Sequence, residues 1–246
     1  MNYGIPKLKN GVFCNIIRAE YLTDMCTFVR LENKRRIISN YQLYIGVDFM
    51  NIKHGIEMRS SSRKYTSDVI SSEIINEILC AASWAPSPKN RQPWRFAILQ
   101  GDAKKELVKE CRKQLSGNSS HIDYLMYNEF ASETHTFNII DQAPVLILVF
   151  NIYPSQKALN HSDKSFDNMN IQAIGAAIQN MLLRATELGI NSLWAGDIIS
   201  IENWISKKFP DAGSLVSGVV LGVSPKENLS RTERLPISEL VIYNGG

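Results

Sequence analysis

The six residues from Val145 to Phe150 restrict this chain more than any other stretch: Val-Leu-Ile-Leu-Val-Phe has no polar interruption, and half of it is β-branched. A surface strand or helix would show a polar side, so the segment reads as a strand covered on both faces and placed centrally in a sheet. It is also the longest strongly apolar run, far short of the roughly 20 residues that span a bilayer.

Helix and strand signals alternate around it. Ser71 and Ser72 stand where a helix cap belongs, ahead of Ile74, Ile75, Ile78, Leu79 and Ala82 at one-face spacing, and Pro86 forbids continuation. Arg95 to Gln100 reads as a strand, Asp102 as the cap of a helix carrying Leu107, Val108, Cys111 and Leu115, and Ser116 to Ser120 as a turn. Asn170 to Leu188 reads as a long helix closed by Gly189, with Ala173, Gly175, Ala176 and Ala177 small enough to admit another helix. Asn191 to Gly196, Leu215 to Val223 and Ile237 to Tyr243 are strand candidates, and a short helix over Ile201 to Phe209 stops at Pro210. The chain is therefore expected to end on a strand.

Charge is unevenly placed. Residues 1–49 hold seven basic and four acidic residues and so carry the whole net charge of +3, while the remainder has 20 of each sign. A neutral body has no global field to recruit nucleic acid or an acidic membrane. Cys14, Cys26, Cys80 and Cys111 form no CxxC pair, and His54, His121, His135 and His161 are scattered, so free thiols and no metal site are expected. Without a basic stretch followed by an apolar core and cleavage site, a cytoplasmic location is expected.

Four stretches carry candidate chemistry. In Arg59-Ser60-Ser61-Ser62-Arg63-Lys64-Tyr65, two guanidinium groups four positions apart, interleaved with hydroxyls, suit a phosphate; a solvated basic loop has the same composition. In Pro86-Ser87-Pro88-Lys89-Asn90-Arg91-Gln92-Pro93-Trp94, three prolines stiffen a loop that presents Ser87, Asn90 and Gln92 to a planar heterocycle. The alternative there is a structural connection with Trp94 plugging the core. Gly196 and Asp197 follow a strand-like run, where a glycine permits close backbone approach, or simply form a turn. Arg231 and Arg234 precede the last strand candidate, in a run that also reads as solvated charge.

In this order the four stretches resemble the FMN-dependent nitroreductase family, from about Met50 to Val241. The most specific element is Pro-Ser-x-x-Asn-x-Gln-Pro-Trp at Pro86 to Trp94, preceded by Arg-x-Ser-x-Arg-x-aromatic at Arg59 to Tyr65. The helix from Ile174 to Leu183, with Glu187-Leu188-Gly189 after it, is similar to that family's long central helix.

The resemblance implies an α+β fold, a three-layer α/β/α sandwich around a mainly antiparallel sheet, in a homodimer that exchanges C-terminal segments. It makes residues 50–246 the FMN-binding domain and residues 1–49 an N-terminal extension. Arg59, Ser60, Ser61 and Arg63 fall where the family grips the FMN phosphate, and Arg234 where a basic residue closes on it. The family's lysine two positions earlier is Thr232 here, with Arg231 beside it to compensate. Pro86, Ser87, Asn90 and Gln92 match the loop that reaches the flavin of the partner subunit, and Gly196 and Asp197 match donors near flavin N5. The implied activity is hydride transfer from NADH or NADPH through FMN to a small acceptor such as a nitroaromatic or quinone, with no catalytic side chain required. The alternatives are a dehydrogenase or dehalogenase of the same fold acting on a specific metabolite, and a non-catalytic flavin-binding protein.

Overall fold

The computed structural model describes residues 51–117, 131–153, 161–225 and 232–243. Its centre is the apolar run. Strand β2 (Val145–Asn151) is buried at every position and lies between β1 (Trp94–Gln100) and β4 (Ser214–Gly222), with β3 (Asn191–Ala195) beyond β4, all antiparallel. Alternate residues of β2 enter different cores, as the period of a strand requires. Leu146, Leu148 and Phe150 join one cluster, and Val145, Ile147 and Val149 the other.

Helices cover both faces. On the first lie α3 (Gly101–Gly117) and α4 (Ala131–Gln142), through Leu107, Val108, Phe137 and Ile140, together with α6 (Glu202–Lys208) through Ile205. On the second lie α2 (Ser72–Ser83) and α5 (His161–Glu187), through Ile75, Ile78, Ile174, Ala177 and Met181. These are the three expected layers, and each fully buried aliphatic side chain contributes about 1.5–3 kcal/mol.

Sequence signals account for most boundaries. Ser71 caps α2, which ends at Ser83 ahead of Pro86. Helix α5 ends at Glu187, and Gly189 turns the chain with φ +72°, a left-handed conformation natural to glycine. The short α1 (Ile52–Met58) is capped by the Asn51 side chain, which accepts from the His54 N–H at 2.8 Å.

Three expectations are corrected. Asp102 does not cap α3 but sits in its first turn, where its carboxylate suits the helix dipole and accepts from Lys105 Nζ at 3.4 Å. Cys80 is disulfide-bonded, whereas Cys111 is a free, buried thiol. The expected last strand is also not formed. Ile237–Leu240 is the one-turn helix α7, entered through Pro236, and among the described residues Val241 to Tyr243 pair with no strand. Strand propensity is expressed only against a pairing edge, and alone it yields to the local turn preference of Pro-Ile-Ser-Glu. The expected turn over Ser116 to Ser120 lies largely outside the described residues, as do Met50 and the whole of residues 1–49. Among the described residues no helix is long and apolar enough to cross a membrane, and no cluster suits a metal ion.

Candidate functional site

The Arg59 to Tyr65 segment lies along the free edge of β3. Ser61 forms a parallel bridge with Ser192, and the Ser62 N–H donates to Ser192 O at 2.9 Å. Beyond it, Thr66 N–H donates to Val223 O at 2.8 Å, and Ser224 Oγ donates to Lys64 O at 2.7 Å. The Tyr65 ring anchors the segment from below: its hydroxyl donates to Ser62 O at 3.0 Å, and its face fills the space a side chain at Gly222 would need. Burial holds the Tyr65 phenol neutral, well above the ordinary tyrosine range, with the Arg63 charge opposing the shift.

That anchoring leaves the polar groups uncommitted. Arg59, Ser60 and Ser61 are half-buried and Arg63 is exposed. Arg63 makes one long contact, 3.4 Å to Ser61 O. Among the described residues no carboxylate pairs with Arg59, Arg63 or Arg234. The Ser62 hydroxyl is buried with no hydrogen-bond partner, an arrangement that costs about 1–3 kcal/mol unless something supplies one.

At the end of β3, Gly196 opens a 3-10 helix over Gly196–Ile201; a Cβ built on it meets nothing within 4 Å, so this backbone faces open space. Thr136 of α4 donates to Asp197 Oδ2 at 2.7 Å and fixes the carboxylate. Ser217 Oγ donates to Ala195 O at 3.2 Å from β4, steadying the same turn.

The proline-rich loop lies elsewhere. Lys89, Asn90 and Gln92 have φ of +50°, +53° and +48°, three left-handed residues without a glycine among them. Each costs about 1–2 kcal/mol relative to ordinary backbone. Strain of this kind persists where neighbouring bonds impose it. Here the Gln92 N–H donates to Ser87 Oγ and the Asn90 N–H to Ser87 O, both at 3.0 Å, while Gln92 Nε2 reaches Asn90 Oδ1 at 3.4 Å. Pro86 and Asn90 are exposed, and Trp94 is buried in the core, which fits the structural alternative for that residue.

The strand register separates loop and segment. One row across the sheet runs Ser61, Ser192, Leu221, Val145, Gln100. Trp94 pairs with Asn151, at the other end of β1 and on the other edge of the sheet. At about 3.3 Å per residue and 4.8 Å per strand, Ser61 and Trp94 stand on the order of 25 Å apart, corner to corner. One chain thus sets Arg59 to Arg63 and Gly196–Asp197 along the same edge strand, Gly196 four residues (about 13 Å) beyond Ser192, and puts Trp94, where the loop of Ser87, Asn90 and Gln92 ends, on the other edge.

Arg234 is exposed and donates to Thr232 Oγ1 at 3.0 Å, and among the described residues it makes no hydrogen bond with the Arg59 segment; Arg231 lies outside the described residues. Thr136 and the two aromatic rings under the loop, Tyr153 and Phe166, escaped the sequence reading, because nothing local in the sequence announces a contact made across 61 positions or between a loop and a distant helix.

A sequence model described as the nitroreductase family matches residues 56–222. A Methanothermobacter thermautotrophicus protein, provisionally named as an NADH dehydrogenase/NAD(P)H nitroreductase, is 27% identical over 151 residues, 61% of this chain and 63% of that protein. An Archaeoglobus fulgidus protein of the same provisional name is 31% identical over 147 residues, covering 57% and 64%. The match thus spans less than two thirds of either relative. A provisionally assigned nitroreductase of Desulfovibrio desulfuricans, solved in complex with FMN, superimposes with a TM-score of 0.58 at 28% identity, over 79% of this chain and 96% of that one.

Proposed function

Since the chain belongs to the nitroreductase family, matched over residues 56–222, we propose that it is an FMN-dependent oxidoreductase that takes reducing equivalents from NADH or NADPH and delivers them to a small acceptor, a nitroaromatic or a quinone. The observation that carries this reading is the donor set on the β3 edge: Arg59 and Arg63 without carboxylate partners, beside a buried Ser62 hydroxyl without any partner. Such a set fits the phosphate of a mononucleotide, which accepts several charge-assisted bonds at once. Arg59, Ser60, Ser61 and Arg63 would hold the phosphate, and Arg231 and Arg234 would approach it from the C-terminal side. Gly196 and Asp197 would offer backbone N–H groups to the ring, with Thr136 keeping the Asp197 carboxylate turned toward α4. Bound FMN supplies the redox chemistry, accepting a hydride at N5 and passing two electrons on, which is why no nucleophile or acid/base pair is needed.

The corner-to-corner separation supports a site made by two chains. Pro86, Ser87, Asn90 and Gln92 stand too far from Arg59 in one chain to share a flavin with it, so a twofold partner would bring its loop to the opposite corner. Leu235, Ile237, Leu240, Val241, Ile242 and Tyr243, all exposed here, are the surface such a partner would cover, by C-terminal exchange. Residues 50–246 would form this domain, with residues 1–49 as an extension, in a cytoplasmic enzyme.

The test is an absorption spectrum of the purified protein before and after anaerobic addition of NADH or NADPH, followed by turnover with a nitroaromatic. A flavin band that bleaches and is restored by the acceptor is expected. Protein without flavin, or with flavin that neither nucleotide reduces, overturns the proposal.

A further inference from the structure

The strained loop carries two cations that no acidic side chain among the described residues answers. Lys89 Nζ and Arg91 Cζ each lie 5.9 Å from the centroid of the Phe166 ring, and Arg91 Cζ lies 4.4 Å from that of Tyr153. Among the described residues neither side chain makes an ion pair or a hydrogen bond. Asp167, next to Phe166 in sequence, instead accepts from Asn151 Nδ2 at 3.2 Å. A third cation, Arg95, stands at the base of the loop with Nη1 on the carbonyls of Trp94 at 2.7 Å and Gln92 at 3.3 Å. The body of the chain from residue 50 is neutral, so this concentration of positive charge is local.

Two features make it more than a solvated basic turn. The Tyr153 ring, 4.4 Å from Arg91 Cζ, restrains the guanidinium by a cation–π contact that uses none of its N–H donors in a hydrogen bond, so the side chain is held before any ligand arrives. The backbone is fixed as well, by φ near +50° at Lys89, Asn90 and Gln92 and by the bonds that close on Ser87. A loop held in a costly conformation, with two like charges at one ring and no counter-charge among the described residues, is complementary to an anion.

We infer that Lys89 and Arg91 form an anion-recognising rim for the substrate of the flavin site, selecting a donor or acceptor that bears a phosphate or carboxylate over its neutral counterpart. This rests on the flavin reading above, in which the same loop reaches the flavin of a second chain.

The experiment uses the full-length, FMN-loaded protein and compares kcat/KM for two matched pairs: NADPH against NADH, and 4-nitrobenzoate against 4-nitrobenzyl alcohol. In the double variant Lys89→Gln/Arg91→Gln the anionic-to-neutral ratio of one pair should fall about tenfold, the weight of one charge-assisted hydrogen bond. Arg91→Lys, which keeps the charge and loses the planar fork, should hold most of the ratio. The pair that responds tells whether the anion is the nucleotide's extra phosphate or the acceptor's carboxylate. Where the double variant loses FMN, Lys89→Gln alone decides, because among the described residues the Lys89 side chain makes no hydrogen bond or ion pair that holds the loop. Ratios unchanged in both pairs, in a protein that still turns over, overturn this inference and leave the flavin reading standing. A parent protein that holds no FMN and oxidises neither nucleotide overturns both.

Discussion

Thr136 Oγ1 donates to Asp197 Oδ2 at 2.7 Å, joining α4 to the turn that leaves β3 although 61 positions separate the two residues. Thr136 is buried and Asp197 half-buried, so the carboxylate oxygen would lose a donor it cannot fully recover from water. Thr136→Val should cost about 1–3 kcal/mol of stability, and Thr136→Ser much less because the hydroxyl is kept. Urea unfolding of the two variants checks this. Since the bond also sets the Gly196 turn, flavin reduction should slow in the valine variant and recover in the serine variant.

Gly222 is required by the Tyr65 ring. A Cβ at that position would overlap Tyr65 Cδ1 and stand 2.9 Å from Pro144 Cδ, and both neighbours are confined by packing. Gly222→Ala should therefore destabilise the protein by about 1–3 kcal/mol, as overpacking does. It should also weaken FMN binding, because Tyr65 holds the Ser62 carbonyl and with it the Arg59 to Arg63 segment. Unfolding free energy and flavin titration measure the two effects separately.

The layers of this fold were legible because β2 has no polar residue: its alternate side chains needed two cores, and the apolar faces of α2 and α5 supply one of them. The donor stretches at Arg59 and Pro86 were legible as local patterns. What local pattern cannot hold is register. That Ser61 pairs with Ser192 while Trp94 lies at the far corner follows from strand pairings tens of residues apart. The same holds for Thr136, an ordinary helix residue until the fold sets it against Asp197. The C-terminal misreading has a related cause, since Ile237 to Tyr243 has strand composition but no pairing edge within the described residues.

Arg63→Ala should weaken FMN retention by one charge-assisted contact, about 1.5–3 kcal/mol. Arg63 is exposed and contributes little to packing, so its melting temperature without flavin should match the parent's. Fluorescence titration of the apoprotein with FMN gives the affinity; equal values in variant and parent would remove Arg63 from the phosphate.

Burial pushes the Cys111 thiol up to about 12 from 9.0, with Glu110 adding to the shift and the backbone bond and Arg112 opposing it. In the unfolded chain the thiol ionises near its ordinary value, so the folded state retains a proton that the unfolded state has lost. The stability this represents is complete below pH 9.0 and is lost as pH rises toward about 12. Tyr65 acts in the same direction above its own ordinary value, and Lys104 opposes it, because burial lowers its pKa. Cys111→Ala removes only the thiol's part: unfolding free energy measured between pH 8 and pH 11 should decline less steeply than in the parent, the difference opening above pH 9.0. Parallel declines would show that Cys111 is not held neutral by the core.

Two chains that each lack half of the site should restore it when mixed. If the flavin lies between Arg63 of one chain and Asn90 of another, Arg63→Ala and Asn90→Ala each damage every site of their own homodimer. In a mixed dimer the damage is redistributed. One site collects both substitutions, and the other joins an intact Arg63 to an intact Asn90. Random reassortment of two chains into twofold dimers gives about half mixed dimers, and so about one quarter of all sites intact. Co-refolding equal amounts of the variants and titrating with FMN should reveal a tight-binding fraction near that value, absent from either variant alone. A site contained in one chain cannot behave this way, because every chain in the mixture carries one of the substitutions. The corner-to-corner placement of Ser61 and Trp94 favours the first outcome, and a mixture that binds no better than the average of its parts would refute it.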